Sequence, residues 1–298
     1  MKNISNSQNS SAPSDMDHMF ELSIKKIGIP PCPAILIRVI DETNKDEPDY
    51  LHLASIINAD VALSAGLIKI ANSVYFGARQ RARSVREALA IIGLKVASRA
   101  IAGIALRQAF PHSPVMERFW DGSARIARLS GWMAQQLNLP GLTPEDAYTF
   151  GLFRDCGIPV LLNYSPGYEA ILLKANNEPQ LRFTSIEDAA IQINHADIGS
   201  KLAQDWRLPA EIHLAIRQHH ELKILDIVET RLPHILLSSR LIALAQLSEH
   251  IVQRQLKLSF TQEWPKLGSA CLQQLDISDE QLDQIYNDAQ PVAAATVD

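Results

Sequence analysis

Helix-start signals recur along almost the whole chain, and no hairpin signal separates them. Ser84-Val85-Arg86-Glu87 reads as a capping box, in which the serine oxygen takes an orphan N–H and Glu87 reaches back. Thr143-Pro144-Glu145-Asp146 places a capping residue, a proline at the first helical position and two acids in the first turn. Ser185 followed by Glu187 and Asp188 reads as a further start, and so does Ser278-Asp279-Glu280-Gln281. Only 13 glycines occur in 298 residues, and no Asn-Gly or Asp-Gly pair sits between alternating apolar runs. Apolar spacing agrees: Val61, Leu63, Leu67, Ile68 and Ile70 share a helical stripe, as do Leu89, Ile92, Val96 and Ala100, and Leu236, Leu237, Leu241, Leu244 and Leu247. The expected fold is all-α: a helical bundle of ten to twelve helices in two sub-bundles, joined at Phe110-Pro111-His112-Ser113-Pro114. No internal repeat is visible.

Composition narrows the function classes. Apolar residues make up 47% and charged residues 20%, which is ordinary for a packed domain and excludes wholesale disorder. A net charge of −5 and a pI near 6.0 disfavour nucleic-acid binding through bulk charge. Cys32, Cys156 and Cys271 lie far apart and form no CxxC pair, which suits a reducing cytoplasm rather than a zinc ribbon or a disulfide framework. Residues 1–17 are polar and read as a disordered tail without a signal sequence. The most apolar window, Ala88 to Leu106, is interrupted by Lys95 and Arg99, so no membrane-spanning helix is expected. Charge is uneven. Arg79, Arg81, Arg83, Arg86, Lys95, Arg99 and Arg107 fall within 29 residues containing one acid, Glu87, while the last 23 residues carry acids and no Lys or Arg.

Candidate chemistry lies in Asp155, His195 and the adjacent pair His219-His220, because helical bundles build metal sites from His and Asp gathered off several helices. A lone histidine on an apolar face is ordinarily a packed residue, so no one of the four makes a site by itself. Cys156 reads as a small core residue, and the four tryptophans as packing. Neither a GxxxxGK[ST] nor a GxGxxG segment occurs, so no P-loop or dinucleotide cofactor is expected.

The segment Phe153-Arg154-Asp155-Cys156-Gly157 resembles the central motif of HD-type phosphohydrolases, where an adjacent His and Asp ligate a metal. Asn194-His195-Ala196-Asp197-Ile198-Gly199, Trp206-Arg207-Leu208-Pro209 and Ala215-Ile216-Arg217-Gln218-His219-His220 follow in the matching order. Upstream, Ile29-Pro30-Pro31-Cys32-Pro33-Ala34, Ile57-Asn58-Ala59-Asp60-Val61-Ala62-Leu63, Ile70-Ala71-Asn72-Ser73-Val74-Tyr75-Phe76-Gly77 and Ala88-Leu89-Ala90-Ile91-Ile92-Gly93-Leu94 together resemble an HDOD domain, the HD-related output domain of bacterial signalling proteins. The resemblance spans roughly residues 24–250. It divides the chain into the tail, an N-terminal helical part at 18–112, a degenerate HD-like bundle at 113–250 and a C-terminal helical extension with an acidic tail at 251–298.

The resemblance also marks departures. Gly122 stands where catalytic relatives carry a histidine, Arg154 replaces the His of the His-Asp pair, and Gln246 replaces a late Asp. A guanidinium stays protonated and donates no lone pair. Against a divalent ion at ~4 Å it would cost roughly 8 kcal/mol at an effective dielectric of about 20. The resemblance therefore implies a cytoplasmic, non-enzymatic signalling module with no cofactor, acting through a regulatory protein partner, with no role at a membrane. Arg154 is expected to pair with Asp155. The expected docking surface is Tyr75, Phe76, Arg79, Arg81 and Arg83. Two alternatives remain: a metal-dependent phosphohydrolase using Asp155, His195, His219 and His220, and a regulator that binds a small anion or nucleotide at Arg154 and the histidines.

Overall fold

The computed structural model describes residues 27–72, 81–227, 232–257 and 260–294. Sixteen helices and no strand occur among the described residues, more helices than the capping signals alone suggest. An N-terminal group comprises α1 (Ala34–Thr43), α2 (Tyr50–Asn58), α3 (Val61–Ala71) and α4 (Val85–Gln108). Next come α5 (Pro114–Leu137), α6 (Pro144–Phe153), α7 (Gly157–Tyr164), α8 (Tyr168–Asn177), α9 (Phe183–Ile191), α10 (His195–Asp205), α11 (Ala210–Gln218) and the short α12 (Leu222–Leu225). The chain ends with α13 (Pro233–Leu256), α14 (Glu263–Leu275), α15 (Asp279–Asp288) and α16 (Gln290–Ala294).

Side-chain caps fix seven of the sixteen starts. Asp49, Asp60, Ser84, Ser113, Thr143, Asn194 and Ser278 each accept a first-turn N–H with their side chains. Ser278 and Gln281 form a complete capping box. At α4 the box is shifted by one residue: the Glu87 carboxylate accepts from the Arg83 N–H at 2.7 Å, not from Ser84. Ser185 caps nothing. Helix α9 starts upstream at Phe183, whose ring is buried with Ala175 and Ile186, so packing rather than a hydroxyl sets that boundary. Val61 also departs from its expected stripe: it follows the Asp60 cap and is 83% exposed, whereas Leu63 and Leu67 are buried.

One contiguous apolar cluster runs from α1 to the C-terminal helices. Helix α5 packs along α6 and α13, and α13 along α14. Gly93, at φ 76° and ψ 167°, breaks α4 into two segments, a backbone conformation that suits glycine. Trp206 is fully buried and its indole N–H donates to the Pro30 carbonyl at 3.0 Å, tying the proline-rich opening to the later bundle. At the other end Arg125 donates to the Ala293 carbonyl at 2.7 Å and fastens α16 to α5.

By length and composition, α4 and α13 are long and apolar enough to cross a bilayer, which corrects the expectation that no segment qualifies. Half of the apolar window in α4 and 67% of that in α13 are buried against other helices, so this apolarity serves the core.

Candidate functional site

The site is assembled at the turn between α6 and α7. Arg154, Asp155 and Cys156 form that turn, and Gly157 opens α7. A Cβ on Gly157 would sit 2.0 Å from the His195 carbonyl oxygen and 2.9 Å from the Gly199 N. Only a glycine lets α7 meet α10 backbone to backbone, and that approach sets Asp155 against His195, the first residue of α10. His219 and His220 arrive from the C-terminal end of α11. The fully buried Cys156 packs at the same junction, and burial pushes its thiol up, as befits a core residue.

The four sequence candidates Asp155, His195, His219 and His220 converge. One ligand atom from each lies within 4.8 Å of the others. His195 Nε2 is 3.2 Å from His219 Nε2 and 3.2 Å from His220 Nε2. Asp155 Oδ1 is 3.2 Å from His219 Nε2 and 3.6 Å from His195 Nε2.

The outward-facing nitrogens decide the tautomers. His195 Nδ1 meets Glu187 Oε2 at 2.8 Å, His219 Nδ1 the Ile216 carbonyl at 2.7 Å, and His220 Nδ1 Glu263 Oε2 at 2.5 Å. All three partners are acceptors, so each Nδ1 carries a hydrogen and each neutral ring turns an Nε2 lone pair inward. Tyr168 in turn donates its hydroxyl to Glu187. Phe183 stacks on His220 with centroids 4.6 Å apart and fixes the ring plane.

Three lone pairs and a carboxylate oxygen facing one another require a positive charge among them. A proton on His195 meets part of that requirement. Burial disfavours its charge, but Glu187 and the hydrogen bonds to Asp155 and Glu187 outweigh burial and raise the group to about 10. His219 goes the other way: burial and then the neighbouring His220 lower it to about 3. Burial pushes Asp155 up, yet Arg154 and the two histidine contacts outweigh it and hold the carboxyl well below the usual range.

Arg154 sits on the far side of that carboxylate. Its Nε and Nη2 hold Asp155 Oδ2 at 3.0 and 2.9 Å, and Nη2 also reaches Glu249 Oε1 at 3.0 Å. The expected ion pair is thus present, and the guanidinium's charge is shared by two carboxylates rather than aimed into the cluster. Burial raises Glu249, with Arg154 opposing the shift. Gln246 does not face the histidines; its amide donates to Glu249 Oε2 at 3.1 Å. Gly122 lies in α5, where an added Cβ would meet nothing within 4 Å. Glu187, Glu249, Glu263 and Tyr168 are partners that the sequence reading did not single out.

Of the expected docking residues, Tyr75, Phe76 and Arg79 lie outside the described residues, as do residues 1–17, and Arg81 and Arg83 are exposed. Arg99, counted with the basic run, pairs with Asp146 instead.

The donor set fits a transition ion. Three imidazoles and one carboxylate suit zinc, iron or manganese. Four of their six separations, at 3.2–3.6 Å, are close to the edge, roughly 3.3 Å, of a tetrahedron around an ion bonded at about 2.0 Å, and all six lie within 4.8 Å. Each ring is oriented by a second acceptor, as ligating histidines require.

An all-α bundle with an Asp at its central interhelical turn and histidines from two further helices defines an HD-type fold. The HDOD domain pattern matches residues 29–222, and the chain belongs to that family. Crystal structures share the fold. One from Geobacter sulfurreducens, named as an HDOD domain protein with unknown function, is 20% identical with a TM-score of 0.64, covering 93% of this chain and 97% of that one. Another, from Shewanella amazonensis SB2B and named as a proposed phosphohydrolase, is 18% identical with a TM-score of 0.68, covering 91% and 95%. A third, from Marinobacter aquaeolei VT8 and named as a proposed signal transduction protein, is 20% identical with a TM-score of 0.66, covering 93% and 63%. An uncharacterized protein of Treponema pallidum (strain Nichols) is 25% identical over 195 residues, which span 65% of this chain and 38% of that protein.

Proposed function

We propose that the chain is a non-hydrolytic regulatory module of signal transduction, acting by binding another regulatory protein, in which the His/Asp cluster is a closed cation centre that braces the bundle. The observation that supports this reading is the donor arrangement. Asp155, His195, His219 and His220 would all hold the ion, and His195 and His219 are 0% and 1% exposed. Structural metal sites use four protein ligands, whereas hydrolytic sites keep a position for water or substrate. When bound, the ion would supply a fixed positive charge between the Nε2 lone pairs. Glu187, the Ile216 carbonyl and Glu263 orient the rings, and Arg154 holds the second oxygen of Asp155. Asp155, Glu187, Glu249 and Glu263 around the pocket favour a cation there over a phosphate or nucleotide. Three free thiols accord with a cytoplasmic location.

Partner capture would run through the arginine-rich segment at Arg79, Arg81 and Arg83, with Tyr75 and Phe76 beside it. The test has two arms. Affinity capture from the native cell should recover a regulatory protein whose yield falls when the three arginines become Glu; an unchanged yield removes this surface. Metal-saturated full chain should not hydrolyse bis(p-nitrophenyl) phosphate above the free ion.

A second reading, a metal-dependent phosphohydrolase on the same four ligands, draws on one observation: the Asp155 side chain keeps 19% exposure, an opening through which a substrate could enter. Turnover that disappears in His195→Ala would establish it.

A further inference from the structure

Glu263 belongs to α14, beyond residues 29–222 that carry the family pattern. Its side chain is 4% exposed, and it accepts from His220 Nδ1 at 2.5 Å while Lys266 closes on its other oxygen. The stretch that presents it is fastened to the main bundle. The Gln262 N–H donates to the Asn176 carbonyl at 2.9 Å, and Lys266 donates to the Leu181 carbonyl at 3.0 Å and that of Glu178 at 3.3 Å. Trp264 stacks on His250 of α13 at 4.3 Å, with the rings 5° from parallel. A single carboxylate thus connects the docking of α14 to the ring whose Nε2 points into the cluster.

We infer that Glu263 is a positioning residue for ion binding, and that through it occupancy of the His/Asp centre and docking of the C-terminal extension control each other. This rests on the cation centre proposed above. An ion on His220 Nε2 withdraws electron density from the ring and strengthens the Nδ1–H donor, so the hydrogen bond to Glu263 tightens. By linkage the reverse holds: an extension seated on its partners holds His220 in the ligating tautomer and raises affinity for the ion. Regulation would then read out as the state of α14, a helix beyond the residues that carry the family pattern, without any chemistry at the centre.

The experiment uses the full chain with Co²⁺ as the probe, following its visible absorption during titration, together with hydrogen exchange at α14. The expected result is one Co²⁺ per chain, an affinity about 10–100-fold weaker in Glu263→Gln with a changed Co²⁺ spectrum, partial recovery in Glu263→Asp, and slower α14 exchange in the loaded wild type. Wild type that binds Co²⁺ with unchanged α14 exchange, and Glu263→Gln that binds it equally well, would overturn the linkage while leaving the cation centre standing. Wild type that binds no Co²⁺ would overturn both. If Glu263→Gln does not fold, exchange in the wild type decides alone.

Discussion

Arg154 grips Asp155 by Oδ2, at 2.9 Å from Nη2, and leaves Oδ1 turned toward His219 at 3.2 Å. One carboxylate therefore serves two cations on opposite sides, a permanent guanidinium and whatever charge occupies the histidine cluster. Removing one partner of a buried ion pair leaves the other uncompensated. Arg154→Met should destabilise the chain by about 3–5 kcal/mol in urea unfolding. Arg154→Met combined with Glu249→Met should cost less than the two single losses added, because the second carboxylate facing the guanidinium is then gone. Additive losses would show that the contact with Glu249 carries no energy.

Two glycines of the HD-like region should respond oppositely to alanine. Gly157→Ala drives a methyl to 2.0 Å from the His195 carbonyl and separates α7 from α10. A loss of about 3 kcal/mol or more is expected, since backbone must move. Gly122→Ala meets nothing within 4 Å inside α5 and should gain up to about 1 kcal/mol from helix propensity. Thermal melts of both variants check the pair.

Stability should fall in mild acid through His250. Burial, then the charge of Arg254, lowers this histidine from 6.5 to about 4. A depressed histidine favours the folded chain only while neutral, so its contribution is complete above pH 6.5 and declines as the pH falls toward 4. The ring is only half buried, so solvent weakens the effect. His250→Phe keeps an aromatic ring over Trp264 and removes the titration. Between pH 7 and 4.5 the wild type should lose about 2–4 °C more in Tm than the variant. Parallel pH profiles would contradict this assignment.

Much of this architecture is legible along the chain because helix starts are local events. Ser84, Thr143 and Ser278 act within three residues, and their caps lie where the spacing puts them. Ser185 misleads because Phe183 is drawn into a buried cluster, a tertiary effect that no short window contains. The same divide runs through the site. Asp155, His195, His219 and His220 are readable from motif order, and the structure gathers them. Glu263 is not, because it reaches His220 across 43 residues from a segment beyond the family pattern at 29–222. The direction of Arg154 is equally invisible in sequence: its repulsion of an ion is expected from residue type, whereas its pairing with Asp155 and Glu249 depends on α13 passing alongside.

X-ray absorption at the zinc edge of the zinc-loaded full chain tests the closed cation centre most directly. The account predicts one zinc per chain in a four-coordinate shell of three imidazole nitrogens and one carboxylate oxygen, without bound water, at about 2.0 Å. A five- or six-coordinate zinc carrying water, or a chain that retains no zinc, would contradict it.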